Sequence, residues 1–362
     1  MNVTNRQGTG SIGSGPPLGS LDGSGQLDGL TMTQGTAQPR KTFKSQVKEF
    51  FRDVKQFFKS LTQRKATVGQ PPAIKTGKAG KASAPSEPML GKGLGEVDFA
   101  KAKSFKPLSS GNGGACLVKL EDSTVVIKGG GGGSCREVYG SKLARELGLP
   151  APETRFLTRE EQGEIQGQMA RQGVSMPKRT GGGEEPVIVM EYVKGTTVCD
   201  ARDERTAKST DVAKSFGKWI AFAAFIKEPD TFHGLISQRE YTSGGGINSS
   251  NFLIDPRNPD AGIVGIDQNV GTGDASDAIH DIGSGSDSFF MRAGQHVSEA
   301  CKDRADPEDL MASVKEGAHE VFAEIAKMSP ERIVELGRES GMDDKGIQDL
   351  LDRQELIREQ VG

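Results

Sequence analysis

A lysine, two kinds of carboxylate and an amide stand in this chain where regular elements would hold them still. Lys128 ends the apolar run Thr124-Val125-Val126-Ile127, and Glu137 opens the helical stretch that follows. Asp230 comes just after a helical pattern over Trp219–Lys227. Asn251 precedes Phe252-Leu253-Ile254, and Asp267 follows Gly262-Ile263-Val264-Gly265-Ile266. A lysine at the end of a strand can point inward and reach a phosphate, provided a carboxylate such as Glu137 holds it; otherwise it is the solvated lysine usual at a strand end. A carboxylate ending an apolar strand is costly unless paired or bound to a cation. Magnesium takes oxygen ligands, typically a carboxylate or amide completed by phosphate and water. Asn251 and Asp267 are therefore the metal candidates, with Asn248 and Asp255 as weaker competitors. Asp230 can serve as a general base toward a hydroxyl, although Pro229-Asp230-Thr231 is also an ordinary Asx turn or helix cap.

Ahead of these lies Ser109-Ser110-Gly111-Asn112-Gly113-Gly114. Without Cβ atoms, Gly111, Gly113 and Gly114 can let backbone N–H groups approach phosphate oxygens, or they simply make a loop. No Walker A pattern occurs. Met190-Glu191-Tyr192-Val193 before Lys194-Gly195 can offer the backbone of Glu191 and Val193 to the edge of a nucleotide base, or can be a buried strand ending in a turn.

The elements that must position these residues are legible from about residue 96. Leu117–Leu120 and Thr124–Lys128 read as a hairpin joined by Glu121-Asp122-Ser123. Arg136 to Leu147 reads as a helix stopped by Gly148. Residues 158–185 read as a helical insertion and loop, and 186–193 as the strongest strand. Beyond it come helices over Val212–Lys227, 308–327 and 330–359, with the strand pair that carries Asn251 and Asp267 in between. A strand-rich front and a helix-rich back predict two lobes of one α+β domain, about 96–193 and 194–362.

Composition bounds the rest. Residues 1–95 carry 14 Lys and Arg against 5 Asp and Glu, about +9, so the net −3 of the whole chain leaves about −12 for residues 96–362. An acidic body argues against nucleic acid as its main ligand. The four cysteines are scattered without CxxC spacing, which points away from disulfides or zinc. No apolar run is long enough to span a bilayer, and no cleavable apolar leader opens the chain. Residues 1–40 and 66–95 are rich in Gly, Ser, Thr, Pro and Ala and predict disorder. Between them, within 41–65, Phe43, Val47, Phe50, Phe51, Val54, Phe57, Phe58 and Leu61 fall on one helical face, with Lys41, Lys44, Lys48, Arg52, Lys55 and Lys59 filling much of the rest. Such a helix over 41–62 can lie on an anionic membrane, enter a chaperone or calmodulin-like groove, or dock on its own protein.

Val126-Ile127-Lys128-Gly129, then Glu137 through Leu147-Gly148-Leu149-Pro150-Ala151-Pro152, resembles the actin-fragmin kinase catalytic domain, an atypical branch of the protein-kinase-like fold. The resemblance continues through Asn248-Ser249-Ser250-Asn251-Phe252-Leu253-Ile254 and Gly265-Ile266-Asp267-Gln268. It implies a small antiparallel-sheet lobe above a helical lobe, and transfer of phosphate from ATP with Mg2+ (or Mn2+) to a protein Ser or Thr, actin being a candidate. It assigns Lys128 to ATP, Glu137 to pairing with that lysine, Asn251 and Asp267 to metal and Asp230 to the base. Thr231 departs from the family, which places Arg after its catalytic Asp, and a Gly-rich insertion at 243–246 precedes Asn248. A lipid kinase, a nucleotidyl transferase or a non-catalytic pseudokinase that binds a host protein are the alternatives. The N-terminal part resembles the leader of bacterial type III secretion effectors, which implies a virulence protein delivered into a host cell, with 41–62 meeting a secretion chaperone or membrane.

Overall fold

The computed structural model describes residues 89–90, 93–108, 114–129, 133–177, 186–203, 208–228, 230–236, 247–255, 262–301 and 305–362. All of these fall in one compact unit, Ile74–Gly362. The leader, the 41–65 helix and most of the 66–95 linker lie outside the described residues. The packed body begins before residue 96, because Met89 and Leu94 are already buried and the Leu94 N–H donates to Glu153 Oε2 at 2.9 Å.

The smaller lobe is built on β1 (Ser104–Leu108), β2 (Ala115–Lys119), β3 (Thr124–Lys128), β4 (Thr154–Phe156) and β5 (Ile188–Glu191), an antiparallel sheet in the order β1-β2-β3-β5-β4. Period-two alternation splits β3 between two buried faces. Val125 and Ile127 pack with Ile165 and Met169 of α2 (Arg159–Arg171), whose first turn is closed by a capping box between Thr158 and Glu161. Lys128 shares the opposite face with Val126. It is turned toward α1 (Ser134–Glu146), which supplies Glu137. The edge strand β1 was not foreseen: Pro107 and one buried residue, Phe105, leave it no apolar run.

The larger lobe is organised by α4 (Ser209–Ile226), whose residues from Trp219 to Ile226 are all buried. Before it come β6 (Thr196–Thr197) and α3 (Val198–Asp203); after it come the short α5 (His233–Ile236), β7 (Phe252–Ile254) and β8 (Ile263–Gly265). Around them pack α6 (Ser276–Gly283), α7 (Asp287–Cys301), α8 (Pro307–Lys327), α9 (Pro330–Glu339) and α10 (Asp344–Val361). The single helix expected over 330–359 is two, broken where Gly341 takes φ +70 and Asp343 caps the next helix through Gly346 N–H. Helices α6 and α7 were also missed; the buried face of α7 includes Gly294, Ser298 and Ala300, which dilutes its apolar period. The chain is α+β and two-lobed, with four free cysteines, and no helix among the described residues is long and apolar enough to cross a membrane.

Candidate active site

The two lobes meet at Lys128. Its Nζ lies 2.5 Å from Glu137 Oε1 and also contacts Asp267 Oδ1, with the lysine and Glu137 side chains 8% and 2% exposed against 37% for Asp267. A buried cation between two carboxylates is stabilised by Coulomb attraction in a low dielectric, and losing the lysine would leave Glu137 and Asp267 as uncompensated charges. Helix α1 is held in place from below as well as above. Tyr139 Oη donates to the Ile333 carbonyl at 2.7 Å, and burial pushes its phenol pKa up. Arg332 forks onto Glu146 at 3.1 and 3.0 Å, and Lys142 reaches Glu339 at 2.8 Å. The lysine's partner is thereby fixed to both lobes.

Asp267 sits just past β8 with φ +60, a left-handed conformation uncommon for a residue with a side chain and frequent at functional turns. The turn presses on α1 so closely that a Cβ on Gly140 would stand 2.1 Å from the Gln268 carbonyl oxygen. The β7–β8 pairing sets Phe252 opposite Gly265, and Ile266 N–H donates to the Asn251 carbonyl at 2.8 Å. Asn251 and Asp267 therefore share one end of a hairpin, as their spacing predicts.

Asp230 arrives from α4. That helix ends with Lys227 at φ 48, and the Glu228 N–H returns to the Ala223 carbonyl at 2.9 Å, a Schellman-type closure. The exposed Asp230 carboxylate accepts at Oδ2 from Asn248 Nδ2 at 3.0 Å and from Asn251 Nδ2 at 3.4 Å. Asn251 Nδ2 also donates to Thr231 Oγ1 at 3.1 Å, so Thr231 supports the site's amide. Beneath the loop is a residue that sequence reasoning passed over. Glu228 is 1% exposed, and its Oε2 accepts from the backbone N–H groups of Asp230 (3.0 Å) and Thr231. Burial pushes its carboxyl pKa up to about 7, against the pull of those N–H donors. Asn248, foreseen only as a spare ligand, orients Asp230 instead. No periodic pattern marks either role; the one local hint is a glutamate immediately after an apolar helix.

Several expectations fall elsewhere. Gly111 and Gly113 lie outside the described residues, whereas Gly114 takes φ +48 and its carbonyl accepts from Gly129 N–H at 3.1 Å. The Glu191 N–H is used internally, donating to the Glu153 carbonyl at 2.9 Å, and its carboxylate accepts from Glu153 N–H at 3.2 Å. Val193 is buried with Met89 and Val264 on the side of β7–β8 away from the helical core, beside Leu253 and Ile266. No cluster of three His, Cys, Asp or Glu side chains able to hold a metal occurs among the described residues. The Asn251 amide directs its nitrogen to Asp230 and Thr231, so its oxygen is the atom that could meet a cation. An oxygen pair of one amide and one carboxylate, with phosphate and water making up the rest, fits Mg2+.

This set, a sheet-borne lysine paired to a helix glutamate and to the aspartate just past a hairpin strand, is the arrangement by which protein-kinase-like folds hold ATP. Residues 92–260 match the family model of the actin-fragmin kinase catalytic domain. The matched stretch of this kinase-like domain holds Lys128, Glu137, Asp230 and Asn251 and stops short of Asp267, whose place is given by its contact with Lys128. Two solved structures of thermostable mutants of the aminoglycoside phosphotransferase APH(4)-Ia are also similar, one a ternary complex with ADP and hygromycin B and the other an apo form. Each likeness covers 73% of this chain and 95% of the other, at 12% and 14% identity and TM-score 0.30, too loose a superposition to lend any residue a role. No curated protein matches the chain.

Proposed function

We propose that the domain transfers the γ-phosphoryl group of ATP to a Ser or Thr hydroxyl of a protein. The observation that carries this reading is Lys128, buried between Glu137 and Asp267 where the lobes meet. Lys128 would meet the phosphates of bound ATP while Glu137 holds it aimed. Asp230, exposed and oriented by two amides, would accept the proton of the acceptor hydroxyl as its oxygen bonds to the γ-phosphorus and the bond to the ADP oxygen breaks. Bound Mg2+, held by the Asn251 amide oxygen and the Asp267 carboxylate, would neutralise the charge on the phosphates. Positioning and charge stabilisation then supply most of the rate enhancement.

The protein acceptor rests on the family match, whose name makes actin the first substrate to try. Delivery into a host cell rests on the composition of residues 1–40, and chaperone or anionic-membrane binding on the Phe and Lys pattern of 41–62. The test is to incubate the full chain with Mg2+ and γ-labelled ATP in the presence of actin, eukaryotic lysate or anionic vesicles, beside Asp267→Ala. Label on discrete proteins, absent in the variant, is the expected result. Label in lipid, protein-linked AMP, or nucleotide binding with no transfer would replace the reading with a lipid kinase, a nucleotidyl transferase or a pseudokinase.

A further inference from the structure

The base-bearing and metal-bearing segments touch through their backbones. Gly271, four residues past Asp267, donates its N–H to the Ile226 carbonyl at 2.8 Å, and a Cβ there would meet the Lys227 oxygen at 2.0 Å. Across this junction lies Arg353 of α10, only 2% exposed. Its Nη1 donates to the Phe225 carbonyl at 2.7 Å, its Nη2 to the Gly271 carbonyl at 3.0 Å, and its Nε to the Asp349 carbonyl of its own helix at 2.9 Å. Phe225 is next to last in α4, so one arm of the guanidinium sits on a carbonyl at the negative end of that helix, five residues before Asp230. The other arm holds the segment that leads away from Asp267.

A buried cation needs compensation. Burial lowers the Arg353 pKa to about 10, against the fields of Asp349, Asp274 and Asp352, and leaves it charged at neutral pH. A guanidinium reaches these separate carbonyls from different nitrogens of one rigid plane, whereas the three donors of a lysine radiate from a single nitrogen. The position also lies outside the stretch that matches the family, which ends at residue 260.

We propose that Arg353 is a positioning residue for phosphoryl transfer: by tying the Phe225 and Gly271 carbonyls together it sets the spacing between Asp230 and Asp267. The inference rests on the activity proposed above. Its neighbour Gln354 provides the control, because that buried side chain also caps carbonyls, those of Ile325 and Met328 at 2.8 Å each, but touches neither segment of the site.

The experiment compares full-length wild type, Arg353→Met, Arg353→Lys and Gln354→Leu by hydrogen–deuterium exchange and by steady-state transfer. Arg353→Met is expected to speed exchange about tenfold in both 226–236 and 267–273. It should also cut kcat about a hundredfold, the scale of a small misplacement at a reacting centre, while KM for ATP moves by less than about threefold. Arg353→Lys should recover part of both effects. Gln354→Leu should lower the Tm yet leave exchange in the two segments, and kcat, as in wild type. Equal behaviour of Arg353→Met and Gln354→Leu, or faster exchange in only one of the segments, overturns the proposal. If Arg353→Met does not fold, Arg353→Lys is read against Gln354→Leu on the same two quantities. A wild type that transfers no phosphate refutes the activity separately, and the paired exchange response still decides whether Arg353 ties the segments.

Discussion

The two arms of the site are held by different physics. On the small-lobe side, Lys128 is fixed by opposite charges in a dry setting, Glu137 behind it and Asp267 in front. On the large-lobe side, Asp230 is exposed, and its loop is held mainly by hydrogen bonds from Asn248 and Asn251 and to Glu228. The first arrangement ties site geometry to the stability of the whole protein, because a broken buried ion pair leaves a bare charge. The second lets the side chain change while the fold stays intact, since solvent takes over whatever the protein gives up.

That contrast predicts a sharp split between variants. Lys128→Met should abolish transfer and cost about 3–5 kcal/mol of stability, read by urea unfolding. Adding Glu137→Gln should restore much of the stability and none of the activity. A single variant as stable as wild type would show that the pair is better solvated than its exposure implies. Asp230→Asn should lower single-turnover transfer by about 10²–10⁴-fold while the unfolding midpoint barely moves. A large stability loss there would erase the distinction between the arms.

The smallest effect belongs to Glu228, the buried exception on the hydrogen-bonded side. Its folded pKa, about 7, lies above the ordinary 4.5. The folded state therefore binds the proton more tightly than the unfolded chain does. The stability this confers is fully present below pH 4.5 and is lost as pH rises through about 7. Glu228→Gln should flatten that decline, seen as the difference in unfolding free energy between pH 5 and 8. An unchanged slope would mean that Glu228 ionises without penalty.

Much of the site was legible because its residues are attached to elements that announce themselves locally. The run Thr124–Ile127 makes a strand by composition, and the strand ends at Lys128; β7 and β8 place Asn251 and Asp267 in the same way. Helix α6 is only eight residues long, and on the buried face of α7 the apolar Phe289, Phe290 and Val297 are interspersed with Gly294, Ser298 and Ala300, so neither helix shows a long apolar run. The break between α9 and α10 escaped because Gly341 acts through a backbone conformation that continuous helical periodicity on either side conceals.

The sequence by itself determined which side chains could do the chemistry, and in what order, since strand and helix periods are properties of neighbouring residues. Only the tertiary structure decided what holds them. Asn251 on Thr231, Tyr139 against Ile333, and Arg353 on a carbonyl 128 residues away are partnerships between buried polar groups. Such groups must find a partner once water is excluded. Which partner they find is set by the close approach of segments far apart in the chain, and no local pattern records it.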